Sequence, residues 1–229
     1  MVPTVREQAA EPPLPARWLN WHAAGMIVGA AAGSAFGRGA FLAIPALLSF
    51  TALWPHRPPR FGLANLVTLT RLVIVALATF GLQAWRPAWV TMAFVLNVIL
   101  DAVDGRVARG LGETTQFGVV FDREVDAFFV LSAYVYFYFS VEGLGPWVLL
   151  PGMLPYLYRL SVRALRVPES PAKKERLAAP LAGLNFTLLL AALALPERAV
   201  VILLVSFLVV LTSFSASFWN LYRHAYSLS

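Results

Sequence analysis

Asp101, Asp104, Asp122 and Asp126 are the only aspartates of this chain, and they fall within twenty-six residues between two strongly apolar segments. They stand in the strings Asp101-Ala-Val-Asp104-Gly105-Arg-Val-Ala108-Arg109 and, eight residues on, Gly118-Val-Val-Phe-Asp122-Arg-Glu-Val-Asp126. A carboxylate in or near a bilayer is costly unless it binds a cation or lines a wet cavity, so such acids mark a functional site by default. On a helix of about 3.6 residues per turn, Asp101, Asp104, Gly105 and Ala108 share one stripe. Gly118, Asp122 and Asp126 form a second stripe on the next helix. The short loop between them predicts antiparallel neighbours whose stripes face each other. Oxygen donors brought together in this way suit a hard divalent cation, Mg²⁺ or Mn²⁺, that keeps positions open for substrate phosphate. Gly105 and Gly118 leave room for a phosphate or nucleotide to approach the backbone, and Arg109 could reach phosphate oxygens as a bidentate donor.

The rest of the chain must position these acids at a membrane. Of its 229 residues, 59% are hydrophobic and 13% charged, with a mean hydropathy of +0.69. A soluble domain is about half apolar and about a quarter charged. The excess comes in long apolar blocks, which predicts an all-α, polytopic membrane bundle. Cysteine is absent, so disulfides and thiolate metal ligands are excluded. His22, His56 and His224 are scattered and form no metal-binding spacing. The net charge of +6 does not point to nucleic acid, because no soluble fold carries the basic residues. Anionic lipid headgroups or phosphate-bearing substrates account for it better.

Residues 1–17 are polar and proline-rich and are expected to be a flexible cytoplasmic tail. Residues 18–60 hold two short apolar blocks, about 19–36 and 39–54, and a proline-rich linker, and predict an N-terminal transmembrane hairpin. A signal peptide is the alternative for the first block, weakened by the long tail before it and the apolar block after it. Gly25, Gly29 and Gly33 recur every four residues, a spacing that allows close helix packing within the hairpin. Residues 61–229 hold six further blocks, about 63–83, 88–108, 117–139, 146–166, 177–195 and 199–221. With the N-terminus inside, the outer connections hold only Arg38, Arg86 and Arg198, and every other Lys or Arg lies on the inner side or near an inner helix end. That asymmetry sets the orientation and puts the aspartates at the cytoplasmic face of a multi-pass protein of the cell (inner) membrane. Tyr134, Tyr136 and Tyr138 would then form an aromatic belt near the outer face.

The string Asp-x2-Asp-Gly-x2-Ala-Arg-x8-Gly-x3-Asp-x3-Asp resembles the signature of the CDP-alcohol phosphatidyltransferases, and every defining position is filled. The stretch Asn65-Leu-Val-Thr68-Leu-Thr-Arg71 also resembles that family's opening helix. The resemblance implies a six-helix catalytic domain and a reaction in phospholipid synthesis. An alcohol hydroxyl attacks the β-phosphorus of a CDP-activated lipid, CDP-diacylglycerol, and CMP leaves. It also implies two divalent ions, Mg²⁺ or Mn²⁺, held by Asp101, Asp104, Asp122 and Asp126. Asp126 would either complete the two-metal site or act as the catalytic base. Asn65, Arg71, Gly105, Ala108, Arg109 and Gly118 would face the CDP donor. A homodimer is the family's usual state.

Arg159, Arg163 and Arg166 fall at i, i+4 and i+7 and would share one helical face at the cytoplasmic end, where they could hold the phosphate of an acceptor such as glycerol 3-phosphate. Arginines snorkelling to anionic lipid would look the same. Ala127 stands where phosphatidylglycerophosphate synthases often carry lysine, so glycerol 3-phosphate, inositol phosphate, serine and other alcohols all stay open. An ion-coupled carrier using the aspartates is the main alternative of another class, and it usually shows repeated halves with charges near the bilayer midplane. A membrane prenyltransferase would separate its two acidic motifs widely, unlike the adjacent pairs here.

Overall fold

The computed structural model describes residues 16–59, 61–111, 115–165 and 178–227, with residues 16, 104–111, 178–179, 220 and 224–227 described by their backbone path alone. Eight α-helices account for nearly all of them, and there is no strand among the described residues. They are α1 (Ala16–Phe36), α2 (Ala40–Leu53), α3 (Leu63–Phe80), α4 (Pro87–Leu111), α5 (Gln116–Ser140), α6 (Leu150–Ala164), α7 (Ala178–Ala194) and α8 (Ala199–Ser227). Their ends follow local chemistry. Pro87 opens α4 where its missing N–H is harmless. Thr115 caps α5 by accepting the Gly118 N–H at 2.9 Å.

Helices α1 and α2 form the expected hairpin. Gly37 takes φ +64° in its turn, a left-handed conformation that glycine adopts without steric cost. At Gly29 a Cβ would lie 2.7 Å from the Phe41 carbonyl oxygen, so the glycine lets the two backbones touch. The hairpin is also docked onto the rest of the chain. Gly39 donates its N–H to Gln83 Oε1 at 3.0 Å, just beyond the end of α3.

At the centre is α5, buried along one continuous stretch from Phe128 through Phe137 apart from Val130. It packs against α1, α3 and α6. Polar side chains tie it to its neighbours by interhelical hydrogen bonds. Thr79 donates to Ser132 at 2.9 Å, and the Tyr134 hydroxyl donates to Asn185 Oδ1 at 2.9 Å and lies 2.7 Å from Ser206 Oγ. Here the structure corrects the aromatic-belt reading. Tyr134 and Tyr136 are buried among helices, because α5 is encircled by its neighbours and a belt needs a helix face turned to lipid.

The outward faces are apolar. Leu66, Val73 and Leu77 on α3, Met92, Leu96 and Ile99 on α4, and Val201, Leu204, Val205 and Leu208 on α8 all stand exposed at helical spacing. Two segments, Leu63–Phe80 and Pro196–Arg223, are long and apolar enough by themselves to cross a bilayer. The segments Ala40–His56, Pro87–Val103 and Pro180–Ala194 are apolar but shorter.

The candidate active site

Arg71 lies near the middle of α3, inside an apolar run, and is completely buried. A buried guanidinium needs counter-charges and hydrogen-bond acceptors close by, and the two aspartate-bearing helices supply them. Arg71 Nη2 is 2.9 Å from Asp101 Oδ1 of α4, and Nη1 donates to Asp122 Oδ1 of α5 at 2.7 Å. Nη2 also donates to Asp126 Oδ1 one turn further along α5. Asn97 of α4, itself fully buried, donates from Nδ2 to the Arg71 carbonyl oxygen at 3.3 Å. Helix α3 packs against both α4 and α5, so it presents Arg71 to the two acidic stripes at once.

One carboxylate oxygen from each of Asp101, Asp122 and Asp126 lies within 4.8 Å of the others. The three side chains are 29%, 42% and 30% exposed, so the cluster is buried on one side and open on the other. Three carboxyl groups against one guanidinium leave acidic groups in excess. The donor set is all oxygen and free of sulfur, which fits a hard divalent cation and the phosphates such an ion recruits. Asp104, Gly105, Ala108 and Arg109 continue α4 over the turns after Asp101, and their side chains lie outside the described residues.

Other expected site residues fall in different places. Asn65 is buried in the first turn of α3, and its Oδ1 would lie 2.7 Å from a Cβ at Gly118. Gly118 therefore admits Asn65 to the start of α5, which accounts for its lack of a side chain by protein packing alone. Arg159 donates to Glu124 at 2.5 Å. Arg163 is exposed near the C-terminal end of α6, and Arg166 lies outside the described residues. Sequence reasoning missed Arg71 as the hub of the acidic cluster, although a lone cation in an apolar run facing a chain with four clustered acids was a usable signal. Asn97, Glu124 and His22 gave no such signal.

The comparisons with known proteins agree with this geometry. A family profile described as CDP-alcohol phosphatidyltransferase matches residues 61–219, most of the chain. The chain belongs to the CDP-alcohol phosphatidyltransferase family. Among curated proteins it is 33% identical over 66 residues to a CDP-diacylglycerol–inositol 3-phosphatidyltransferase of Schizosaccharomyces pombe, covering 29% of this chain and 27% of that one. It is 27% identical over 114 residues to a putative cardiolipin synthase of Mycobacterium tuberculosis, covering 45% and 54%. It is 26% identical over 110 residues to a CDP-diacylglycerol–glycerol-3-phosphate 3-phosphatidyltransferase of Cereibacter sphaeroides, covering 46% and 49%. The matched stretches thus span about a quarter to a half of these relatives. No solved structure matches the chain significantly. The hairpin α1–α2 lies outside the family match.

Proposed function

We propose that this protein makes a phospholipid by transferring the phosphatidyl group of CDP-diacylglycerol to an alcohol. The observation that carries the reading is the convergence of Asp101, Asp122 and Asp126 on Arg71, within a complete family signature. The acceptor oxygen forms a bond to the β-phosphorus while the bridging bond to CMP breaks. CMP leaves with the electron pair, and the acceptor's proton passes to a carboxylate. Asp126, one turn along α5 from Asp122, would either take that proton or complete the two-metal site. Arg71 holds Asp101, Asp122 and Asp126 in register and offsets part of their mutual repulsion. Bound Mg²⁺ or Mn²⁺, two ions in the reading taken here, would be held by these aspartates together with Asp104 and would neutralise the pyrophosphate and the departing CMP. Asn65, Gly105, Ala108, Arg109 and Gly118 would line the donor side.

The same reading makes the chain a multi-pass protein of the cell membrane, with the site facing the cytoplasm and the six helices α3–α8 as its catalytic domain. The apolar outward faces of α3, α4 and α8 and the scarcity of basic residues in the outer connections support this. A homodimer fits the family. Glycerol 3-phosphate heads the candidate acceptors, with Arg163, exposed near the C-terminal end of α6, as an available cation.

The deciding experiment incubates purified protein with CDP-diacylglycerol, Mn²⁺ or Mg²⁺, and a panel containing glycerol 3-phosphate, inositol phosphate, inositol and serine. CMP release with at least one acceptor is the expected result. No CMP from any acceptor, together with cation flux across vesicles containing the protein, would overturn the reading in favour of a carrier.

A further inference from the structure

A second buried charge lies close to the aspartate cluster in sequence but on another face of the same helix. Glu124 stands between Asp122 and Asp126 and is 1% exposed. Two residues from either aspartate, it projects about 160° away from them around α5. It faces the junction of α1 and α6. Arg159 Nη2 of α6 donates to Glu124 Oε1 at 2.5 Å, and Arg123 Nε approaches the same oxygen at 3.3 Å. On the other side, His22 Nε2 of α1 lies 3.6 Å from Glu124 Oε2.

His22 is itself fixed from several directions. It is 1% exposed, and its Nδ1 lies 2.6 Å from Ser49 Oγ of α2. Its ring stacks on Trp18 and meets Phe50 and Tyr156 edge-on. Glu124 is thus bonded to α6, which lies inside the family match, and packs against the hairpin, which lies outside it.

Burying a carboxylate this completely is costly unless its partners stay in place, and removing one partner of a buried ion pair is strongly destabilising. The contact therefore fixes the rotation of α5 about its own axis. One residue of rotational slip, about 100°, would carry Asp122 and Asp126 off the cluster. We propose that Glu124 is a positioning residue, held by Arg159 of α6 and packed against His22 of the hairpin, and that this clamp sets the rotation of α5 which presents Asp122 and Asp126 to the divalent cation. The inference rests on the metal-dependent site proposed above. It gives the hairpin a part in the reaction without any contact with substrate.

The test is Mn²⁺ binding to the full-length purified protein without substrate, read from the electron paramagnetic resonance signal of free Mn²⁺. E124Q should weaken binding about tenfold, in the range seen when groups that orient metal ligands are lost. H22F should weaken it as well, R159K should weaken it less because the charge is kept, and the exposed outer-loop change E197Q should leave it unchanged. In turnover, E124Q should raise the Mn²⁺ concentration for half-maximal rate while leaving the acceptor KM as it was. Should E124Q fail to fold, H22F and R159K carry the test through the clamp's two ends. Wild-type affinity in all three clamp variants would overturn the proposal, as would no Mn²⁺ binding by the wild type. A rise in acceptor KM alone in R159K would overturn it too, and would make Arg159 an acceptor ligand. Wild-type Mn²⁺ binding with the expected losses but no CMP release would sink the transferase reading and leave the clamp standing. CMP release with unchanged Mn²⁺ affinity in every variant would do the reverse.

Discussion

Arg71 and Asp122 meet at 2.7 Å across 51 residues of sequence, one in the first helix of the family domain and the other in the third. The pair joins α3 to α5 at the depth where Asp101 of α4 also arrives, so three helices share one electrostatic junction. A positive charge of the chain itself sits among acids that otherwise call for a metal.

That arrangement predicts an exchange between arginine and metal. Replacing Arg71 with Met leaves half-buried carboxylates without their counter-charge, a smaller loss than the cost of about 3–5 kcal/mol in fully buried pairs, because solvent screens them in part. Added Mn²⁺ should restore part of the lost thermal stability of R71M, and more than it adds to the wild type. Thermal unfolding in detergent with and without Mn²⁺ measures this. An equal Mn²⁺ effect on both proteins would mean that the arginine and the metal do not share the cluster.

Asp122 is the aspartate most open to solvent of the three described in the cluster. D122N keeps the side chain's shape and removes its charge. CMP release should fall at least about a hundredfold, the scale on which a lost charge-stabilising group is felt in catalysis. The unfolding temperature should change little, because Arg71 keeps two carboxylates. Parallel activity and melting measurements separate the two effects.

Gly118 offers a packing test. A Cβ there would lie 2.7 Å from Asn65 Oδ1 and 3.1 Å from Thr115 Oγ1, which serves as the α5 cap. G118A should therefore destabilise by about 1–3 kcal/mol, the usual scale of overpacking. Shortening the neighbour should relieve the clash, so the double variant N65A/G118A should be more stable than the two single losses added together. Simple additivity would show that Asn65 does not occupy that space.

Tyr134 gives a stability effect without a catalytic one. Y134F removes a hydroxyl shared by Asn185 of α7 and Ser206 of α8. Interhelical bonds of this kind contribute about 0.6 kcal/mol on average in membrane proteins. The variant should melt slightly earlier and keep full CMP release. A loss of activity at unchanged stability would place Tyr134 in the reaction, against its position in the core.

Much of this was legible in the residues. Apolar blocks broken by glycine, proline and charge locate each of the described helices, since the signals that stop a helix are local. The aspartate spacing put Asp122 and Asp126 on one stripe for the same reason. Sequence alone makes Arg71 a donor-site residue, because the countercharges that define its place are 30 to 55 positions further on. It points Tyr134 to an interface, because it carries the residue's depth along α5 but not the helices that surround it. His22 stands as a lone histidine in the sequence, and its contact with Glu124 appears only once α1 is packed beside α5.

The contact between His22 and Glu124 also has a bearing on biogenesis. A growing chain delivers its N-terminal segments first, so α1 is made about a hundred residues before the glutamate that it grips. Until α5 and α6 follow, His22 meets Ser49, Trp18 and Phe50 within the hairpin, while Glu124 and Tyr156, which pack against it later, are still to be made. The later helices are therefore what complete the burial of His22.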